Sequence, residues 1–188
     1  MPVLLALLGL LALLEPMTGV SVTAPAAAPA HAPPPMVVHA RLESIIQPVA
    51  AQFLRGVLAR ADAAGAAAVV LELDTPGGLG TSMHEMTKDI LASRTPVVVY
   101  VAPSGAQAAS AGFFLLLAAD VAAMAPGTRT GAAHPVGPGG ESLTGTMGQK
   151  VEQDAAAAIR SLAVRNGRDV KVAEQAVMTS RSFSAEEA

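Results

Sequence analysis

The sequence has 188 residues, a formal net charge of −3 and no cysteine, with a mean hydropathy of +0.46. That length holds one domain with a sizeable core, and the lack of cysteine excludes disulfides, thiolate chemistry and cysteine-based metal sites. Only 12 Lys and Arg are present, in no long run of one sign, which excludes the clustered basic footprint of a nucleic-acid binder.

Residues 3–14 (VLLALLGLLALL) form an unbroken apolar run. It falls short of the about 20 residues that span a bilayer, but has the length of a signal-peptide h-region. Small residues at 24–28 offer cleavage sites. Residues 1–23 are therefore expected to be a signal peptide or N-terminal membrane segment. Residues 24–36 are rich in Pro and Ala and read as an extended tether. The folded domain is expected over residues 37–188.

Within it, residues 36–42 (MVVHARL) suggest a strand. Pro48–Ala64 has helical spacing, with Val49, Phe53, Val57 and Leu58 on one face, Pro48 at the first position and Gly65 as C-cap. Residues 67–73 (AAVVLEL) read as a buried strand, 81–93 as an amphipathic helix, and 97–101 (VVVYV) as a second buried strand. An apolar helix over 110–119, a strand over 121–124 and a Gly/Pro-rich loop over 126–146 follow. Helices are expected over 150–164 and 170–178, and residues 183–188 read as the opening of another, as in a C-terminally truncated domain. Strands apolar on both faces that alternate with helices mark an α/β layered fold.

Two loops carry residues suited to chemistry. Asp74-Thr75-Pro76-Gly77-Gly78 leaves a buried strand and enters a helix. Adjacent glycines there let the backbone approach a ligand and present N–H groups to an anion. No Gly-Lys-Ser/Thr follows, so it is not a phosphate-binding P-loop. Ser110 lies in Ala108-Ala109-Ser110-Ala111-Gly112, where a helix begins among small neighbours. Free N–H groups at a helix start favour a developing negative charge. As an alternative, Ser110 is only an N-cap. Ser104, in Pro103-Ser104-Gly105, reads as a turn residue.

A serine nucleophile needs a base, and two candidates follow it. Lys150 opens a helix after the long loop. Lysine acts as a base only in its neutral form, which burial and a helix N-terminus both favour. His134, in Ala133-His134-Pro135, is the other, since imidazole titrates near neutral pH; otherwise it shapes the groove. No His or carboxylate spacing suits a metal, and none is expected.

Leu71-Glu72-Leu73-Asp74-Thr75-Pro76-Gly77-Gly78, Ala106-Gln107-Ala108-Ala109-Ser110-Ala111-Gly112, Met124-Ala125-Pro126-Gly127-Thr128 and Gly131-Ala132-Ala133-His134-Pro135 occur in that order. Together they resemble the NfeD family of membrane-bound, ClpP-class serine proteases associated with stomatin-like proteins. The resemblance implies a ClpP/crotonase-like fold of repeated β-β-α units. It implies a dyad of Ser110 and Lys150, with Gly77, Gly78 and Ala111 as oxyanion donors and no cofactor. It further implies a stomatin-like membrane protein as substrate or partner, a homo-oligomer, and membrane association through segments outside this chain. With an export signal, the protease would face the extracytoplasmic side. Two readings from other classes stand beside this one: a crotonase-type acyl-CoA enzyme and a non-catalytic scaffold for stomatin-like proteins.

Overall fold

The structure, a computed structural model, describes residues 34–188. The expected signal segment and most of the tether lie outside the described residues; residues 34–36 are exposed and outside any helix or strand.

Strand β1 (Val37–Glu43) leads through a short loop into helix α1 (Pro48–Ala64). Pro48 stands in the first turn and Gly65 closes the helix in the left-handed region, as the sequence predicts. The buried face differs from expectation. Ala50, Ala51, Leu54, Val57, Leu58 and Ala61 are buried, while Val49 and Phe53 are exposed. Alanines supply half of that face, and their small side chains hide its 3.6-residue period from a reading based on large residues.

Strand β2 (Ala68–Asp74), helix α2 (Gly80–Ala92) and strand β3 (Val97–Val101) follow. The next segment holds a strand that sequence reasoning missed, β4 (Gln107–Ala109), before helix α3 (Ala111–Ala118) and strand β5 (Val121–Met124). The expected long loop contains a second missed strand, β6 (Arg129–Gly131). Helix α4 (Gly145–Arg165) begins five residues before the expected start, and α5 (Val170–Met178) matches its expected bounds. The C-terminal residues do not open a helix: β7 (Ser182–Ser184) is a strand, followed by a turn. Strand pairing to β6 overrides the local helical composition there.

The main sheet is parallel, in the order β1-β2-β3-β5; a smaller sheet runs β4-β6-β7. Two β-β-α repeats are visible. In β3-β4-α3 and β5-β6-α4, the first strand joins the main sheet, the second joins the small sheet, and a helix follows. The ClpP/crotonase-like expectation therefore holds. The two central strands bury one face fully, through Val69, Leu71, Leu73, Val97, Val99 and Val101, while the edge strand β5 is exposed or half-buried. The opposite face, with Val70, Glu72, Val98 and Tyr100, is only half-buried, so burial on both faces is not complete among the described residues.

All eight residues of α3 are buried, as expected of a helix that is apolar all round. Its C-terminal carbonyls need donors. Arg168 supplies them, donating to the Leu117 carbonyl and, at 2.9 Å, to that of Ala119. Asn166 also donates to the Leu117 carbonyl at 2.9 Å. Burial lowers the Arg168 pKa, and Asp120 opposes that shift. Arg168→Ala should destabilise the fold by about 1–3 kcal/mol, because it leaves the buried Ala119 carbonyl without its side-chain donor while Asn166 still serves Leu117. Arg168→Lys should recover little, since an ammonium lacks the planar fork. Urea unfolding of the three proteins checks this.

Candidate active site

The two sheets meet beside Ser110. Beyond β2, Thr75 forms a parallel bridge with Ala108 of β4. The Thr75 N–H donates to the Gln107 carbonyl at 2.7 Å, and the Ala109 N–H donates to the Thr75 carbonyl at 3.1 Å. From the other side, the Ser110 N–H donates to the Gly131 carbonyl of β6 at 2.8 Å. Gly131 pairs in turn with Ser182 of β7, and a Cβ there would lie 2.4 Å from the carbonyl oxygen of Arg181, just before that strand. The backbone around Ser110 is thus pinned by strands remote in sequence.

Ser110 has φ 52° and ψ −115°, a conformation that costs a non-glycine residue about 1–3 kcal/mol. It occupies the N-cap position of α3, yet its side chain makes no capping bond. The capping alternative therefore fails. The hydroxyl is left for other work at the start of a buried helix, half-exposed and among small residues. Ser104 lies in an exposed turn, as expected.

The glycine loop lies directly against this serine. A Cβ on Gly77 would sit 2.7 Å from Ser110 Cβ and 3.2 Å from its Oγ. Gly77 is buried and its N–H donates to Thr75 Oγ1 at 3.2 Å. Gly78 is exposed, and its backbone pairs with Ile46. Neither the Gly78 N–H nor the Ala111 N–H forms a hydrogen bond among the described residues. Of the three expected donors, these two are open and Gly77 is engaged by Thr75.

Lys150 is not part of this cluster of contacts. It lies on α4, which packs against α3, and it is exposed. Because α4 starts at Gly145, Lys150 sits in the second turn, not at the helix opening. The burial expected of a lysine base is also absent from this single chain. None of the ion pairs among the described residues involves Lys150.

His134 is half-buried, with Nδ1 2.9 Å from the Val177 carbonyl oxygen. That contact makes Nδ1 the donor. A serine-histidine-aspartate triad places a carboxylate there; here a main-chain carbonyl occupies the position. Asp74, in the glycine loop, instead accepts from the Gln107 N–H at 3.0 Å. Among the described residues no group of His, Asp or Glu is arranged to hold a metal.

Residues 36–188 match the family model described as NfeD1b, N-terminal domain. The chain belongs to this family. It is 40% identical over 126 residues to the membrane-bound protease PH1510 of Pyrococcus horikoshii, covering 65% of this chain and 28% of that protein. It is 36% identical over 132 residues to the membrane protein NfeD1b of Bacillus subtilis, covering 70% of this chain and 29% of that protein. The chain thus spans less than a third of the curated relatives it matches. Among solved structures, it resembles a serine-to-alanine mutant of the 1510-N membrane-bound stomatin-specific protease, with a TM-score of 0.76, 33% identity, and coverage of 82% of this chain and 75% of that one. A lysine-to-alanine mutant of 1510-N in complex with a substrate peptide gives a TM-score of 0.77 at 33% identity, covering 82% and 71%. The family and fold expectations are borne out.

Proposed function

We propose that this domain is a serine endopeptidase in which Ser110 is the nucleophile and Lys150 the general base. The single observation that carries the reading is the Ser110 turn. A non-glycine residue is held at positive φ, its hydroxyl is free of capping, and a glycine loop lies against it. The serine and lysine replaced in the 1510-N mutants also stand about as far apart in sequence as Ser110 and Lys150.

Ser110 Oγ attacks the peptide carbonyl while neutral Lys150 removes its proton. The oxyanion is held by the N–H groups of Gly78 and Ala111, with Gly77 allowing the close approach. Lys150 then protonates the leaving amine, and water hydrolyses the acyl-enzyme by the reverse sequence. The exposure of Lys150 in this structure is compatible with a base that acts after substrate or a second copy covers it, because catalytic contacts often tighten only in the complex. No cofactor enters any step.

The proposed substrate is an apolar segment of a stomatin-like membrane protein, by analogy with the stomatin-specific relatives. An extended peptide beside the Gly77-Gly78 segment would use main-chain bonds of the strand-addition kind. Both curated relatives are named as membrane proteins. No described helix is long and apolar enough to cross a membrane. By analogy with these relatives, membrane association is proposed to come from segments outside the described domain, with residues 1–23 a signal peptide or N-terminal membrane segment, 24–36 a tether, the protease on the extracytoplasmic side and the chain acting as a homo-oligomer.

A serine-directed phosphonate and a panel of apolar peptides test the reading together. Wild type should be labelled at Ser110 and should cut, and His134→Ala should stay within about tenfold of wild-type cleavage, short of the about 100-fold loss of an essential base. Wild type that neither labels nor cuts, yet binds a stomatin-like segment, would support the scaffold. Binding of an acyl-CoA without labelling would support the crotonase-type enzyme.

A further inference from the structure

We infer that Thr75 is a positioning residue that fixes the oxyanion loop and the nucleophile turn relative to each other. This rests on the protease reading above. Thr75 is fully buried and touches both halves of the site through three different parts of the residue.

Its hydroxyl holds Gly77. Oγ1 accepts from the Gly77 N–H at 3.2 Å and donates to the Gly77 carbonyl at 3.2 Å. A hydroxyl has one proton and two lone pairs, so both bonds can form at once. Together they clamp the peptide that precedes Gly78, whose N–H is one of the two open donors. The Gly77 carbonyl also accepts from the Ile46 N–H at 2.8 Å.

Its methyl meets the other half. A Cβ on Gly112 would lie 2.5 Å from Thr75 Cγ2. The first turn of α3, which presents Ser110 and the Ala111 N–H, is therefore seated directly on this methyl. Its main chain completes the link through the Ala109 N–H, one residue before Ser110. One side chain thus sets the spacing between nucleophile and donors. The alternative is that Thr75 is an ordinary buried threonine that satisfies its own turn. That would cost stability on substitution without singling out kcat.

Two variants separate the parts. Thr75→Val keeps the branched shape and removes the hydroxyl. Thr75→Ser keeps the hydroxyl and removes the methyl. Displacing reacting groups by about 1 Å can cost about 100-fold in rate. Thr75→Val is therefore expected to lose about 100-fold in kcat with KM within about threefold. Its affinity for a peptide boronate, which mimics the tetrahedral intermediate, should fall in parallel with kcat. Thr75→Ser should recover most of both losses. Val kcat within threefold of wild type, or equal losses in Val and Ser that track their melting temperatures, would overturn the inference.

Amide hydrogen exchange provides a readout independent of turnover. The Gly77 N–H should exchange at least about tenfold faster in Thr75→Val than in wild type or Thr75→Ser. Unchanged exchange overturns the clamp. Should wild type neither label nor cut, the protease reading fails, and exchange at Gly77 still decides whether Thr75 holds the loop.

Discussion

Ser110→Ala and Lys150→Ala are each expected to abolish measurable cleavage, and the double variant to lose no more than either alone. Residues that act as one unit are not additive, because removing the second has no further chemistry to remove. Ser110→Ala deletes the hydroxyl proposed to form the acyl-enzyme. Lys150→Ala deletes the proposed base, a loss of about 100- to 10,000-fold where a positioned base is essential. Neither change should unfold the domain. The Ser110 hydroxyl forms no capping bond, and Lys150 is exposed, so each should shift stability by about 0.5 kcal/mol or less. Thermal melts alongside the peptide assay separate lost chemistry from lost fold. Phosphonate labelling adds a finer distinction: Ser110→Ala should not react at all, whereas Lys150→Ala should react slowly. A Lys150→Ala protein that keeps wild-type turnover would remove lysine from the mechanism and return attention to His134. Multiplicative losses in the double variant would argue that the two residues act independently.

Gly78→Ala should be the most damaging single methyl added anywhere in the 74–80 glycine loop. A Cβ at Gly78 would lie 2.1 Å from the Ile46 carbonyl oxygen, 2.6 Å from its nitrogen and 2.8 Å from its carbonyl carbon. All three are main-chain atoms, so no side chain can swing away. Gly78 also has φ 154°, outside the regions that alanine adopts readily. Relief requires separating the 78 strand segment from Ile46. That breaks the bond from the Leu79 N–H to the Ile46 carbonyl, 2.8 Å, and threatens the one from the Ile46 N–H to the Gly77 carbonyl, also 2.8 Å. The expected cost is about 3–5 kcal/mol, combining overpacking, backbone strain and lost bonds. Activity should fall even where the protein stays folded, since the same movement turns the Gly78 N–H away from its place. Chemical denaturation gives the stability loss, and cleavage at a temperature where the variant is native gives the second effect. Wild-type stability with wild-type turnover would mean that Gly78 and Ile46 are not paired as described.

The parts of this fold that long apolar periods encode were legible. Strands β2, β3 and β5 and helices α1, α2 and α5 appear within about a residue or two of their expected bounds. Short strands were not. Gln107–Ala109, Arg129–Gly131 and Ser182–Ser184 are each three residues long, too short for any period to emerge. They exist because partners from distant parts of the chain supply their hydrogen bonds. These are also the strands that hold Ser110, through the Gly131 carbonyl and the Thr75 bridge.

The α/β class was written in local residue type, as were the two loops proposed to carry chemistry and the proposal of Ser110 rather than Ser104. Those follow from local residue type: apolar runs, paired glycines, and a serine among small neighbours before a helix. How those loops lie against each other became visible in three dimensions. The tertiary structure placed Gly77 against Ser110, engaged the Gly77 N–H with Thr75, turned His134 onto a carbonyl, and left Lys150 exposed on a helix beside α3. The physical reason is that hydrogen-bond partners and burial are set by which segments meet in space, and such meetings depend on the whole chain rather than on any one stretch of it.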